Sequence, residues 1–189
     1  PYFQFSNFYK GPKSIVIDNV RYKTVEHYFQ AQKYSNDVGR NLEFRDLIIK
    51  QNTPGQAKML AGPLVKDPKW PWALVIKNLQ LSFKGYIHFD ENQWSLIKDS
   101  VMAKALRAKF TQDQDLRKLL IGTGDNMISE DAPRDAYWGN GGNLLIVGKL
   151  GQLLMSLRSE LRSESESETN VITTKVSKDH QTTLTSWLK

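Results

Sequence analysis

Cysteine is absent from the 189-residue chain. That excludes a disulfide framework, a thiolate zinc site and a cysteine nucleophile. Histidine is scarce: His27, His88 and His180 stand far apart, so no histidine metal site is expected. Long apolar runs are missing as well. The longest is the seven residues from Trp70 to Ile76, Pro71 included, against roughly 20 for a membrane span. There is no phosphate-binding loop, paired-glycine dinucleotide fingerprint, zinc signature or nucleophile elbow. Gly139, Gly141 and Gly142 do not follow a strand and open a helix in the order such a loop needs. No internal repeat is present. The opening residues are not expected to be a signal peptide, and the expected setting is intracellular, cytoplasm or nucleus, with no membrane partner.

What remains is the composition of a folded protein, 40% apolar and 11% aromatic, long enough for one domain with a real core. Basic residues outnumber acidic ones 26 to 20, a net charge of +6. The excess favours anionic partners such as phosphates or nucleic acid, or it is simply a solvated basic surface.

The expected class is α+β: a compact single domain, predominantly helical, with a small N-terminal β-hairpin. Ser14 to Asp18 alternates as a strand, Asp18-Asn19 signals a turn, and Val20 to Lys23 returns. Thr24 is a good N-cap for a helix from Val25 to about Ser35. A second helix is expected over Asn41 to Lys50. Thr53-Pro54 opens a short one to about Ala61. Val65 to Asp90 reads as an elaborated loop or short hairpin. Asn92 to Lys109 is the clearest helix, with Trp94, Ile97, Val101, Ala105 and Ala108 forming one apolar stripe. Asp113 to Ile121 follows, then a loop-rich stretch from Thr123 to Gly142 and a helix from Gly151 to about Arg162. The expected division is a domain over 1–162 and a Ser/Glu/Thr-rich tail over 163–189. That tail is mobile or an appendage, unless Leu184, Trp187 and Leu188 anchor it as a docked arm.

Two constellations carry chemistry. In Thr24-Val25-Glu26-His27-Tyr28-Phe29-Gln30-Ala31-Gln32-Lys33, Glu26 falls at N2, where the helix dipole favours a carboxylate. Glu26, Gln30 and Lys33 share a face at steps of four and three. They line a polar pocket, or Glu26 only complements the dipole while Lys33 is solvated. His27 points about 100° away. In Asp131 to Gly142, Asp135, Tyr137 and Trp138 lie in a glycine-rich loop that offers a carboxylate, stacking surfaces and accessible backbone amides, or is an ordinary loop anchored by aromatics. Lys98, Lys104, Arg107 and Lys109 on the long helix face a phosphate or the solvent.

Several segments, in order, resemble the NADAR family, which includes the riboflavin-intermediate N-glycosidases. They are Phe5-Ser6-Asn7-Phe8-Tyr9, Glu26 to Lys33, Thr53-Pro54 with Ala57-Lys58, Val101 to Phe110, Thr123-Gly124, Asp135-Ala136-Tyr137-Trp138-Gly139 and Leu150 to Met155, together covering residues 3 to 162. The resemblance implies a compact helix-rich α+β fold and hydrolysis of a ribose C1′–N bond, without metal or other cofactor. Two substrate classes come with it: ADP-ribose on guanine bases of nucleic acid, and ribosylamino-pyrimidine phosphates of riboflavin synthesis. The net charge leans to the first. A non-catalytic module that binds ADP-ribose or nucleotides is the alternative. The implied catalytic groups are Glu26 and Asp135, with Lys33 as candidate for a Schiff base to the opened ribose, or for a phosphate contact, and Lys109 behind it. The implied substrate-binding set is Asn7, Phe8, Gln30, Trp94, Lys109, Tyr137, Trp138 and Gly139. One departure stands out: the family has an asparagine where Gly148 stands, before Leu150-Gly151.

Overall fold

The computed structural model describes residues 2–143 and 145–185, with side chains described as far as 167. Among these the protein is α+β and mostly helical, with seven α-helices and one two-stranded hairpin. Contacts group the chain into two units, Pro1–Leu116 and Arg117–Lys189.

In the first unit, β1 (Ile15–Ile17) pairs antiparallel with β2 (Val20–Tyr22) in the register Ile15–Tyr22, Val16–Arg21, Ile17–Val20. Asp18 and Asn19 turn at φ 51° and 63°, the left-handed conformation that a two-residue hairpin loop demands and that short polar side chains tolerate. Alternation buries Ile15, Ile17 and Tyr22 on one face. Helix α1 (Val25–Gln32) starts at Thr24, whose hydroxyl accepts the His27 N–H, as expected. All of Val25 to Ala31 is buried. The helix therefore carries Glu26, His27 and Gln30 into the interior, where each polar atom needs a partner. Helix α2 spans Asn41–Lys50 and α3 spans Pro54–Leu60. The latter opens with Pro54 at N1 and a full Thr53/Gln56 capping box.

Three expectations need correction. The stretch read as loop or hairpin holds a helix, α4 (Pro71–Ser82), with Pro71 at N1 and Ala73, Ile76 and Gln80 buried. Its Trp72, Leu74, Val75 and Leu81 are exposed, so apolar residues lie all round it and no polar face marks the period. On α5 (Glu91–Gln112) the buried set is Trp94, Met102, Ala105, Leu106, Lys109 and Phe110. Ile97, Val101 and Ala108 are only partly buried. The helix packs against both β1 and α1, and this second contact turns its buried face about one residue along its C-terminal half. Finally, α7 (Lys149–Thr185) runs well past Arg162. Neither glycine nor proline follows Gly151, so nothing in the Ser/Glu run breaks the helix. Trp187 and Leu188, and the side chain of Leu184, lie outside the described residues.

Asp113, extended, accepts the N–H groups of Asp115 and Leu116 to start α6 (Gln114–Ile121). Phe44, Phe110, Ile48, Leu60, Ile76, Met102 and Leu106 fill the core of the first unit, each worth about 1.5–3 kcal/mol on burial. In the second unit Leu120, Leu150, Leu154 and Leu161 are fully buried. Arg158 donates to the Thr123 hydroxyl and the Asn126 carbonyl, both at 2.8 Å, tying α7 to the turn after α6.

Candidate functional site

The first unit holds Asn7, Phe8, Glu26, Gln30, Lys33 and Trp94. Glu26 is 5% exposed. Its backbone N–H, one of the donors that a helix start leaves without an intrahelical partner, donates to the Asn7 carbonyl at 3.0 Å and so pins the N-terminal segment to α1. One turn on, Gln30 Nε2 donates to Glu26 Oε1 at 2.8 Å. That bond fixes the amide, since the flipped form would set oxygen against carboxylate. Gln30 Oε1 consequently points elsewhere. It and Asn7 Oδ1 are buried with no hydrogen-bond partner among the described residues.

Lys33 closes α1. Its ammonium lies 5.7 Å from the Phe89 ring centre and 5.8 Å from that of Trp94. Burial lowers its basicity below that of an ordinary lysine; the charges of Glu26 and Glu91 oppose the shift and that of Lys58 adds to it. Trp94 is 7% exposed and meets Phe29 edge-on at 4.9 Å. It is an interior wall of the site. Phe8 is exposed, with the Lys58 ammonium 5.8 Å from its ring. Lys58, Phe89 and Glu91 are absent from the expected site. Lys58 was within reach, since the Thr53 cap sets it in the last turn of α3. Phe89 lies within the stretch that carries no periodic signal, and Glu91 just after it.

His27, facing away, is fully buried. Its Nε2 lies 3.1 Å from the Gln51 carbonyl and Nδ1 2.8 Å from the Thr24 hydroxyl. The Gln51 carbonyl can only accept, so Nε2 carries a proton. Burial holds its pKa below the usual value.

The basic residues of α5 part company. Lys104 pairs with Asp18 at the hairpin turn, 2.7 Å, in the open. Lys109 is 4% exposed, donates to the Ser6 carbonyl at 2.9 Å and lies 5.3 Å from the Tyr9 ring centre. Burial pushes its pKa down to about 7, against the pull of Asp113.

The second unit holds Asp135, Tyr137, Trp138 and Gly139. Asp135 Oδ1 accepts the N–H groups of Tyr137 and Trp138 at 3.0 and 2.8 Å, and its carbonyl takes those of Gly139 and Gly141, both at 3.2 Å. Buried Asn140 completes the turn: its Oδ1 accepts from Ala132 and Gly142. The glycine amides of this loop thus bond within it. Tyr137 is exposed and Trp138 partly so, the rings edge-on at 5.1 Å. A Cβ at Gly148 would sit 2.2 Å from the Trp138 carbonyl oxygen and 2.3 Å from that of Gly139. Only a bare glycine fits there.

No cluster of three or more His, Asp or Glu able to hold a metal occurs among the described residues, nor does any described helix have the length and apolarity to cross a membrane. Chemically, the first unit offers a buried carboxylate, two free acceptors, an amine of reduced basicity and an aromatic wall.

A model of the NADAR domain family matches residues 1–162. The N-glycosidase YbiA of Escherichia coli (strain K12) is 37% identical over 163 residues, 86% of this chain and 84% of that protein. N-glycosidase Npun_R5314 of Nostoc punctiforme is 32% identical over 163 residues, 86% of this chain and 88% of its own. Riboflavin biosynthesis protein VVA0006 of Vibrio vulnificus is 28% identical over 160 residues, 85% of this chain but 36% of that longer protein. The NMR structure of E. coli YbiA superposes with a TM-score of 0.61 at 35% identity, covering 87% of this chain and 80% of the other.

Proposed function

The chain belongs to the NADAR family, and on that ground we propose that it is an N-glycosidase hydrolysing the bond between C1′ of a ribose and the nitrogen of a base-like group. One observation carries the reading: Gln30, bonded to the buried Glu26 carboxylate, and Asn7, whose backbone carbonyl takes the Glu26 N–H, each keep a buried side-chain oxygen without a donor among the described residues. Each such orphan costs about 1–3 kcal/mol, a cost removed when a ligand hydroxyl donates to it. A ribose supplies hydroxyl donors, and its C1′ becomes cationic as the C–N bond breaks.

In this reading Glu26 faces the developing charge on C1′ and the ring oxygen. The leaving nitrogen takes up a proton and water supplies the hydroxyl to C1′, so one water is consumed for each bond cleaved. Lys33, with basicity lowered by burial, presents more of its neutral, nucleophilic form than a solvated lysine. Its attack forms a C1′–Nζ bond as the C1′–N bond to the base breaks and the base takes a proton. The C1′–O4′ bond then opens, and O4′ takes the remaining amine proton to leave a protonatable Schiff base. Water hydrolyses this to the free sugar and the amine. Trp94 and Phe89 shield that amine. Asp135, Tyr137, Trp138 and Gly139 are proposed from the family resemblance, as is residue span 1–162 for the catalytic domain.

For the substrate, the +6 charge supports ADP-ribose on guanine bases of nucleic acid. The relatives named for riboflavin biosynthesis favour a ribosylamino-pyrimidine phosphate as the second reading. Product analysis on both substrates tests the proposal. The unmutated protein is expected to release the base from one of them, and Glu26→Gln to slow release by roughly 10²–10⁴-fold. Tight binding with no product from either would overturn hydrolysis in favour of a binding module.

A further inference from the structure

A cavity of about 340 Å³ lies between the hairpin, the start of α1 and the end of α5, and its lining includes none of Asn7, Glu26, Gln30 and Lys33. Its size sits at the small end of the roughly 300–1,000 Å³ typical of small-molecule sites. The lining holds four cations, Lys13, Arg21, Lys23 and Lys109, against one carboxylate, Asp113. We infer that this cavity is a phosphate site, taking the phosphoryl group of a small mono- or diphosphate ester. The inference does not rest on the hydrolase reading.

The walls are hydrogen-bonded to one another and the charges are differently engaged. Gln112, from α5, accepts the Val16 N–H at 2.8 Å and donates to the Val16 carbonyl at 2.7 Å, clamping the outer hairpin strand to the helix. The register sets Arg21 opposite Val16, on the face away from buried Tyr22, so the guanidinium projects on the cavity side. Lys23 is held by the carbonyls of Lys50 and Gln51 and contributes field without being free to move. Lys109 makes one hydrogen bond, to the Ser6 carbonyl, which leaves two ammonium N–H groups. The side chains of Arg21 and Lys13 make no hydrogen bond or ion pair among the described residues, and Ser14 adds a hydroxyl. The single carboxylate is already occupied on one oxygen, since Asp113 Oδ1 caps α6. Paired donors from Arg21 with point charges from lysines suit a phosphoryl group. An anion here also offsets the burial that depresses the Lys109 ammonium. A recess of this volume fits a small ester, whereas a nucleic-acid backbone calls for an extended basic stripe.

The test is titration of the full chain with inorganic phosphate, ribose 5-phosphate and ribose, by calorimetry and by amide NMR shifts. Saturable binding of both phosphates and none of ribose is expected, with shifts at residues 13–14 and 21–23. The Lys13→Gln/Arg21→Gln double variant, both positions being exposed, should keep its melting temperature and bind roughly tenfold or more weakly. Glu26→Gln should bind phosphate as the unmutated protein does, which separates this site from the hydrolytic one. No saturable binding, equal binding by the double variant, loss of binding in Glu26→Gln, or binding of duplex DNA but of neither small phosphate would each overturn the assignment.

Discussion

Lys33 and Lys109 are both lysines that burial has made less basic, yet their neighbours differ. Both have aromatic rings about them and a carboxylate acting on them, but Lys33 has Glu26 acting on it from one α1 face, while Lys109 donates a hydrogen bond to the Ser6 carbonyl. Borohydride reduction during turnover, followed by peptide mapping, should therefore trap the ribose on Lys33, with Lys33→Met abolishing the adduct. An adduct on Lys109 instead would transfer the covalent role to it, and none on any lysine would leave Glu26 and water alone. His27 makes a separate statement about pH. Its folded pKa is lowered by burial from about 6.5, so below that value the unfolded chain binds the proton that the native ring refuses. Its contribution to stability is complete above pH 6.5 and is lost as pH falls. Melting temperatures recorded from pH 8 to pH 5 should fall throughout, because buried Lys109 also holds its proton more weakly in the folded chain, and the His27 share is the part of the fall below pH 6.5 that replacing the ring removes. His27→Gln, which can still donate to Gln51 and accept from Thr24, should drop less steeply.

The elements divide by how much of their environment the local chain carries. Thr24 before α1, and Thr53-Pro54 with Gln56 for α3, are local signals, since a cap hydroxyl and a ring-locked φ act within three or four residues. The Asp18-Asn19 turn was legible for the same reason. Helix α4 was not, because its apolar residues face solvent as well as core and leave no period to read. On α5 the period was visible but its phase was not: Lys109 reads as a surface cation until the hairpin and the Ser6 carbonyl close over it. The loop of the second unit hid its logic in another way. Asn140, not marked in the sequence, proves to be its buried knot, and Gly148 is required by contact with residues 138 and 139. Gly148→Ala pushes a methyl into two carbonyl oxygens; overpacking of this kind costs typically 1–3 kcal/mol. A thermal melt should show the loss, and a variant melting like the unmutated protein would mean that the loop shifts freely.

At the scale of the whole molecule the question is which charges take part in turnover. Asp135 organises its own turn through Oδ1. Asn at that position keeps the acceptor and removes the charge. Asp135→Asn is accordingly expected to melt as the unmutated protein does while cleaving the substrate roughly 10²-fold more slowly. Equal turnover would reduce Asp135 to a builder of the loop. Salt dependence belongs to this scale too: a nucleic-acid substrate makes cleavage fall steeply with ionic strength, and a small ribosyl phosphate makes it fall little.

The one-dimensional chain by itself determined the α+β class, the caps and turn, the shared face of Glu26, Gln30 and Lys33, and the ordered segments by which the family is recognised. All of these act over a few residues or survive as a pattern of residue types. Only the tertiary structure decided that the Glu26 stripe is buried, that Gln30 and Asn7 keep acceptors without donors, and that Lys109 is an interior amine beside a cationic cavity. Those properties come from chain segments as much as 103 residues apart closing on one another. Desolvation and orphaned hydrogen bonds exist only once that closure excludes water.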